Sequence, residues 1–316
     1  MANKNLLSIV VPVCNEAAIL EKTLRQIQHY VKMTDLAHEI VFVDDGSSDG
    51  TWSIIRDLSI RNPEVRGIKL SRNFGKEAAI TTGLEFASGD AVIVMDADGQ
   101  HPAALVPVMV RLWQDGKADV IEAVKEDRGD KKFSSAIGAK FFYWLMKNLT
   151  ALRLKNSSDY KLLDRKVVDA HNRLPETSRF FRGIVSWLGF TKIQIPFSVE
   201  ERTTGKSRWS LLKLIKLAID ASTAFSSVPL HLVTIIGMLT FMVSIILGIQ
   251  TLYTKFSGEA VSGFATVILL LLFIGSALML SLGIIGIYVS RIFEEVKNRP
   301  KFIVDDSVGF KDSRKT

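Results

Sequence analysis

Asp96 and Asp98 stand two residues apart at the end of an apolar run, AVIVMDADGQHP. Two carboxylates so spaced can hold a hard divalent cation. Mg2+ or Mn2+ takes few protein carboxylates and completes its shell with water and phosphate oxygens, so the pair suits a reaction in which a cation offsets the charge of a departing diphosphate. Paired acids also cap helices, and alone the motif is weak. It gains weight from Asp44 and Asp45, which close a second apolar run (EIVFVDD), and from Asn15 and Glu16 after another (LSIVVPVCNE). That much negative charge at one rim is unfavourable unless a cation or a donor group compensates it.

The elements that must carry these residues follow from periodicity. Residues 7–13, 39–43, 65–70 and 91–95 are short apolar runs, predicted as strands; 16–31, 49–61 and 76–87 have helical periodicity. Apolar strands alternating with amphipathic helices predict an α/β fold with a mostly parallel sheet covered on both faces. Ligands bind such sheets at the carboxyl ends of the strands, where the acidic residues fall. A second block over 133–200 opens with an amphipathic helix on Phe133, Ile137, Phe141, Trp144 and Leu145. An apolar helix over 209–225, with Trp209 at its start and Lys213 and Lys216 on it, is predicted to lie in a membrane interface, an ordinary core-facing helix being the alternative.

Of the 316 residues, 47% are hydrophobic and 23% charged, and the apolar ones are concentrated. No Asp, Glu, Lys or Arg occurs from Ala221 to Thr254, or from Ala260 to Ser290. Each window exceeds the roughly 20 residues that cross a bilayer, and spans are predicted near 230–252 and 264–289. Lys255 is the one cation between them, whereas Arg202, Lys206, Arg208, Lys213 and Lys216 precede them and Arg291, Lys297, Arg299 and Lys301 follow. The positive-inside rule therefore puts both flanks in the cytoplasm. The net charge of +7 reads as attraction to anionic lipid, since no nucleic-acid motif accompanies it. A single cysteine, Cys14, excludes a disulfide framework.

The runs PVCNE (12–16), VDDGSSDGT (43–51), MDADGQHP (95–102), SDYKLLDRKVV (158–168) and RTTGKSR (202–208) together resemble the family 2 GT-A glycosyltransferases. Within that family the chain is similar to the polyisoprenyl-phosphate glycosyltransferases, relatives of dolichol-phosphate mannosyltransferase. SRNFGKEAAI (71–80) and RIFEEVKNRPKF (291–302) resemble the bacterial branch with two C-terminal spans. The resemblance implies a GT-A nucleotide-sugar-binding domain over 1–205, an interfacial helix over 206–228, a transmembrane hairpin over 229–290 and a cytoplasmic tail over 291–316. It implies that Pro12, Glu16 and Asp45 line the nucleotide pocket, Asp45 accepting from the base, with Ala97 against the nucleotide. Asp96, Asp98 and Gln100 match the metal site for Mg2+ or Mn2+. Arg202 and Arg208 match a loop closing over the diphosphate, and Asp159 an acid facing the reaction centre. Where relatives have Leu, Gly and Lys, this chain has Gly99, Ser158 and Arg208.

The activity so implied is inverting transfer of a sugar from a nucleotide diphosphate, UDP-glucose or UDP-N-acetylglucosamine foremost, to undecaprenyl phosphate at the bacterial plasma membrane. An acceptor phosphate is already mostly dianionic at pH 7, so Asp159 is expected to orient groups rather than to act as a base. Lys and Arg residues, with Arg128, Lys131 and Lys132 as candidates, would hold the acceptor phosphate; Arg72 and Lys76 could touch phosphate or merely open a helix. His101 is expected to be a loop residue rather than a base. A processive polysaccharide synthase is the nearest alternative, but its Q-x-x-R-W motif lacks the Gln here (Gly205-Lys206-Ser207-Arg208-Trp209). An inactive membrane adaptor is the other, and it predicts loss of acidic residues that are all present. Homo-oligomers are compatible with the sequence, which does not name the sugar.

Overall fold

The computed structural model describes residues 6–99, 101–125, 157–176, 180–197, 228–257 and 263–310. The predicted helix from Phe133, the interfacial helix over 209–225, and Gln100, Arg128, Lys131, Lys132, Arg202 and Arg208 lie outside them. The chain separates into two compact units, one holding every strand described below and the other two long helices.

Four apolar runs become the parallel centre of the first unit: β1 (Leu6–Val13), β2 (Ala37–Asp44), β3 (Val65–Leu70) and β4 (Ala91–Val94). Helices α1 (Leu20–Val31), α2 (Thr51–Arg61) and α3 (Lys76–Phe86) join them in turn. After β4 come α4 (Val106–Gln114), β5 (Val120–Lys125), β6 (Lys161–Asp164), α5 (Arg165–Asn172), α6 (Phe181–Trp187) and β7 (Lys192–Phe197). The sheet order is β7-β5-β6-β4-β1-β2-β3-β8, with β6 antiparallel to both its neighbours. One face buries Leu24 and Ile27 of α1, Ile55 of α2 and Met109 and Trp113 of α4. The other buries Ile80 and Leu84 of α3, Val167 of α5 and Phe181 of α6. Each such side chain contributes about 1.5–3 kcal/mol by leaving water, and the helices are thereby fixed to the strands whose ends form the rim.

The C-terminal segment differs from the sequence reading, which left 291–316 as a tail. Val304–Val308 forms β8, antiparallel to β3 at the sheet edge. Its acids conceal it from a hydropathy pattern, yet they pair. Asp305 meets Lys69 at 2.8 Å, and Asp306 meets Arg56 at 2.8 Å and the indole Nε1 of Trp52 at 3.2 Å. Charged residues on an edge strand also discourage pairing with other chains.

The second unit holds α7 (Val228–Phe256) and α8 (Phe264–Val296), of 29 and 33 residues. At 1.5 Å per residue each outruns the roughly 30 Å of hydrocarbon in a bilayer. Ile235, Phe241, Ile249, Leu271, Phe273 and Met279 are exposed along them. Both helices are long and apolar enough to cross a membrane.

Candidate functional site

Parallel strands bring their carboxyl ends to one edge. Val13 is level with Asp44, so Cys14–Glu16 and Asp44–Asp45 lie side by side, and β4 on the other flank of β1 delivers Asp96 and Asp98. Because β6 runs antiparallel with Val94 level with Lys161, the residues entering β6 come to the same rim. Asp159 therefore arrives beside Asp96 although 63 positions separate them in sequence. A cavity of about 320 Å³ opens here, lined by Pro12, Glu16, Asp45, Lys76, Asp96, Ala97 and Asp98 among others. That is within the range of small-ligand pockets.

Its floor is a set of interlocked turns. The Asp45 carboxylate accepts from the backbone N–H groups of Phe74 (2.7 Å) and Gly75 (2.9 Å). Gly46 has φ +65, and a Cβ there would lie 2.4 Å from the Arg72 carbonyl carbon, so only glycine lets the 71–75 turn settle against it. Asn15, itself at φ 57, accepts from the Ser48 N–H at 2.9 Å, and the Glu16 N–H donates to Thr51 Oγ1 at 3.0 Å. Asp44 is wholly buried and accepts from the Ser47 N–H at 3.0 Å. Burial raises its carboxyl, and it shapes the turn while Asp45 faces the cavity. Glu16 is raised too, by burial first and then by repulsion from Asp98, Asp49 and Asp96, as a rim short of cations would do.

A lysine stands at the acidic cluster. Lys76 Nζ lies 2.6 Å from Asp96 Oδ1 and 2.8 Å from Asp159 Oδ2. On its other side Asp159 receives Arg182, whose Nε donates to Oδ1 at 2.6 Å and Nη2 to Oδ2 at 2.9 Å. Burial would raise the Asp159 carboxyl, but the hydrogen bonds and charge of Arg182, joined by Lys76, hold it well below the ordinary carboxylate range. Lys76 is raised against its own burial by the same two acids. Glu77, half-buried and next to Lys76 in the chain, accepts from the Phe181 N–H at 2.8 Å, and desolvation lifts it to about 7. The entry to β6 is braced as well. Ser158 Oγ donates to the Ala123 carbonyl at 2.5 Å, and the fully buried Lys161 pairs with the fully buried Glu122, which Ser157 and Gln194 also bond.

His101 is no base. Its Nδ1 accepts the Asp96 N–H at 2.8 Å, its ring stacks on Tyr160 with centroids 4.9 Å apart, and burial lowers its pKa. A neutral imidazole with Nδ1 as acceptor fixes the Asp96 backbone. Gly99, at φ +73, supplies the left-handed residue that closes the Asp96–Asp98 turn, where a Leu would be strained.

Among the described residues no three His, Cys, Asp or Glu side chains form a complete metal cage. Mg2+ and Mn2+ do not need one: two carboxylates plus substrate phosphates suffice. Asp96 and Asp98 fit that demand, and the ammonium of Lys76 at Asp96 marks the place as one that draws a cation.

Of the residues expected at the site, Pro12, Glu16, Asp45, Asp96, Ala97 and Asp98 line the cavity and Asp159 lies next to it through Lys76. Arg182 and Glu77 were missed. The available signal was an arginine on a short helix whose Phe181, Ile184 and Val185 are otherwise core residues.

Comparison with known proteins gives the family. The sequence pattern of a family described as glycosyl transferase family 2 matches residues 8–171. An uncharacterized glycosyltransferase of Bacillus subtilis is 37% identical over 97% of this chain and 95% of its own length. A prophage-derived bactoprenol glucosyl transferase of Shigella flexneri is 36% identical over 95% of this chain and 98% of its own. Among solved structures, a glucosyl-3-phosphoglycerate synthase from Mycobacterium tuberculosis, in complex with Mn2+, UDP and phosphoglyceric acid, aligns with a TM-score of 0.48 at 20% identity, covering 70% of this chain and 76% of that one.

Proposed function

The chain belongs to glycosyl transferase family 2, and from that premise we propose that it moves a sugar from a nucleoside diphosphate onto a polyisoprenyl phosphate at a membrane face. The carrying observation is that the likeness to a bactoprenol glucosyl transferase runs through the catalytic unit and both long apolar helices. A lipid acceptor explains why a nucleotide-sugar fold should carry such helices.

In this reading the base packs by Pro12 and Cys14 and donates to Asp45, whose position the Phe74 and Gly75 amides fix. The diphosphate lies toward Ala97 and Asp98. Asp96 and Asp98, with Gln100 as a third ligand, would hold a divalent ion that offsets the charge of the leaving diphosphate. Arg202 and Arg208 would close over the same group. An oxygen of the acceptor phosphate bonds to the anomeric carbon while the bond to the donor diphosphate breaks, its electron pair leaving with the nucleoside diphosphate. No proton has to move. Asp159, held ionised, orients Lys76 and Arg182. Direct displacement inverts the anomeric carbon. The catalytic unit and both termini face the cytoplasm, as the cations flanking the spans favour.

The test is a panel of radiolabelled nucleotide sugars, UDP-glucose first, given to purified protein with undecaprenyl phosphate or undecaprenol. Label should enter lipid with the phosphate and not with the alcohol; equal labelling of both, or of neither by any sugar, rejects the acceptor class.

A further inference from the structure

Two cations converge on Asp159, and their exposure differs sharply from its own. The Asp159 side chain is 5% exposed, whereas Lys76 and Arg182 keep 42% and 38% of their side-chain surface open. Lys76 Nζ and Arg182 Nη2 lie 2.8 and 2.9 Å from the same oxygen, Oδ2, so they are close enough together to hold two oxygens of one phosphate. Arg182 is not saturated. Arg182 spends Nε and Nη2 on Asp159 and Nη1 on the Ser157 carbonyl at 3.1 Å, which leaves two of the five guanidinium N–H groups.

The charges leave room for an anion. Lys76 and Arg182 carry two positive charges against one on Asp159, and Lys76 is otherwise held by Asp96. Once Asp96 serves a divalent ion together with Asp98, the trio has a net positive charge on an open face. Glu77, the other nearby acid, points its carboxylate to the Phe181 N–H. Placement agrees. Lys76 is part of the wall of the donor cavity, and Arg182 reaches Asp159 without lining that cavity. An anion between them would stand beside a donor in the cavity.

We infer that Lys76 and Arg182, anchored together on Asp159, form the seat of the acceptor's phosphate monoester, adjoining the nucleotide-sugar cavity. The inference rests on the acceptor class proposed above and assigns residues to it. Arg182 would offer its two remaining N–H groups and Lys76 a point charge; together they would offset the repulsion between acceptor phosphate and donor diphosphate.

Arg182→Gln and Arg182→Lys are to be assayed in detergent with farnesyl phosphate as acceptor, alongside calorimetric titration of UDP with Mn2+ and thermal melts. Loss of charge-assisted hydrogen bonds should raise the acceptor KM about 10- to 100-fold in the Gln variant, with UDP–Mn2+ affinity within about twofold of the parent and partial recovery in the Lys variant. An unchanged acceptor KM overturns the seat. So does a loss of UDP–Mn2+ affinity and Tm that parallels the acceptor KM, because a brace for Asp159 would do just that. Should the Gln variant fail to fold, the Lys variant decides alone: a raised acceptor KM at unchanged nucleotide affinity supports the seat, and equal losses of both reject it. If the parent enzyme hydrolyses its nucleotide sugar but glycosylates no polyprenyl phosphate, the acceptor class itself is wrong and the seat falls with it.

Discussion

Asp159→Asn separates an orienting carboxylate from a catalytic base. In the parent, Asp159 accepts three charge-assisted hydrogen bonds, from Lys76 Nζ at 2.8 Å and from Arg182 Nε and Nη2 at 2.6 and 2.9 Å. Such bonds contribute about 1.5–3 kcal/mol each, and an amide keeps one acceptor oxygen while turning N–H groups toward a cation. Both cations are partly open to water, which recovers part of the loss, so about 2 kcal/mol of stability should go. For a catalytic unit of this size that is a Tm drop of about 4–8 °C. Turnover should fall about 100-fold, because Lys76 and Arg182 lose their common anchor. The pH profile is the deciding readout. Asp159 sits far below neutrality, so the acid limb of kcat/KM should follow the second ionisation of the acceptor phosphate, near pH ~6, in both proteins. A limb that vanishes in the Asn variant, or a rate restored by added formate, would refute this reasoning and make Asp159 the base. The linkage sign gives a control. A folded pKa below the unfolded one supplies stability above pH ~4 that is lost as pH falls through the folded value, so the parent should lose stability on acidification more steeply than the variant.

Asp98→Asn removes a ligand charge with little change of shape, and should weaken Mn2+ binding by calorimetry and lower turnover by orders of magnitude; full activity of this variant in EDTA would sink the metal assignment. Glu77, lifted to about 7 by burial, stabilises the fold below its unfolded pKa of about 4.5 and loses that contribution as pH rises through 7. Glu77→Gln should therefore raise stability at pH 8 by up to about 3 kcal/mol and flatten its pH dependence between pH 5 and 7, as melts across pH 5 to 8 will show. In a Cys14→Ser background, a cysteine placed between residues 258 and 262 should react with an impermeant maleimide on intact cells and one at the C-terminus should not; the reverse overturns the cytoplasmic assignment.

The central strands were readable because fully buried parallel strands are unbroken apolar runs, and residues 39–43 and 91–95 have no other reading in an alternating pattern. Helix α1 was placed four residues early. Asn15 turns into the left-handed region, and Glu16 to Ile19 form turns that periodicity does not distinguish from a first helical turn. Strand β8 was unreadable for a different reason. Its sequence, VDDSV, has the hydropathy of a tail, and its stability comes from β3 and from Arg56, Lys69 and Trp52, more than 230 positions away in sequence.

The site divides along the same line. Residues that act from their own strand end, Asp45, Asp96 and Asp98, announce themselves by sitting where an apolar run stops. Residues that act through partners do not. Lys76 reads equally as a phosphate contact and as a plain helix-start cation, and Arg182 lies on a short core helix; they meet at Asp159 only because the antiparallel β6 carries it to the end of β4. An acid met by two cations is a weakened base, and that pairing follows from topology rather than from any motif. The chemistry then constrains the substrate in return. With Asp159 committed to Lys76 and Arg182, the site is suited to a nucleophile that is ionised before it arrives, as a phosphate monoester is and a sugar hydroxyl is not.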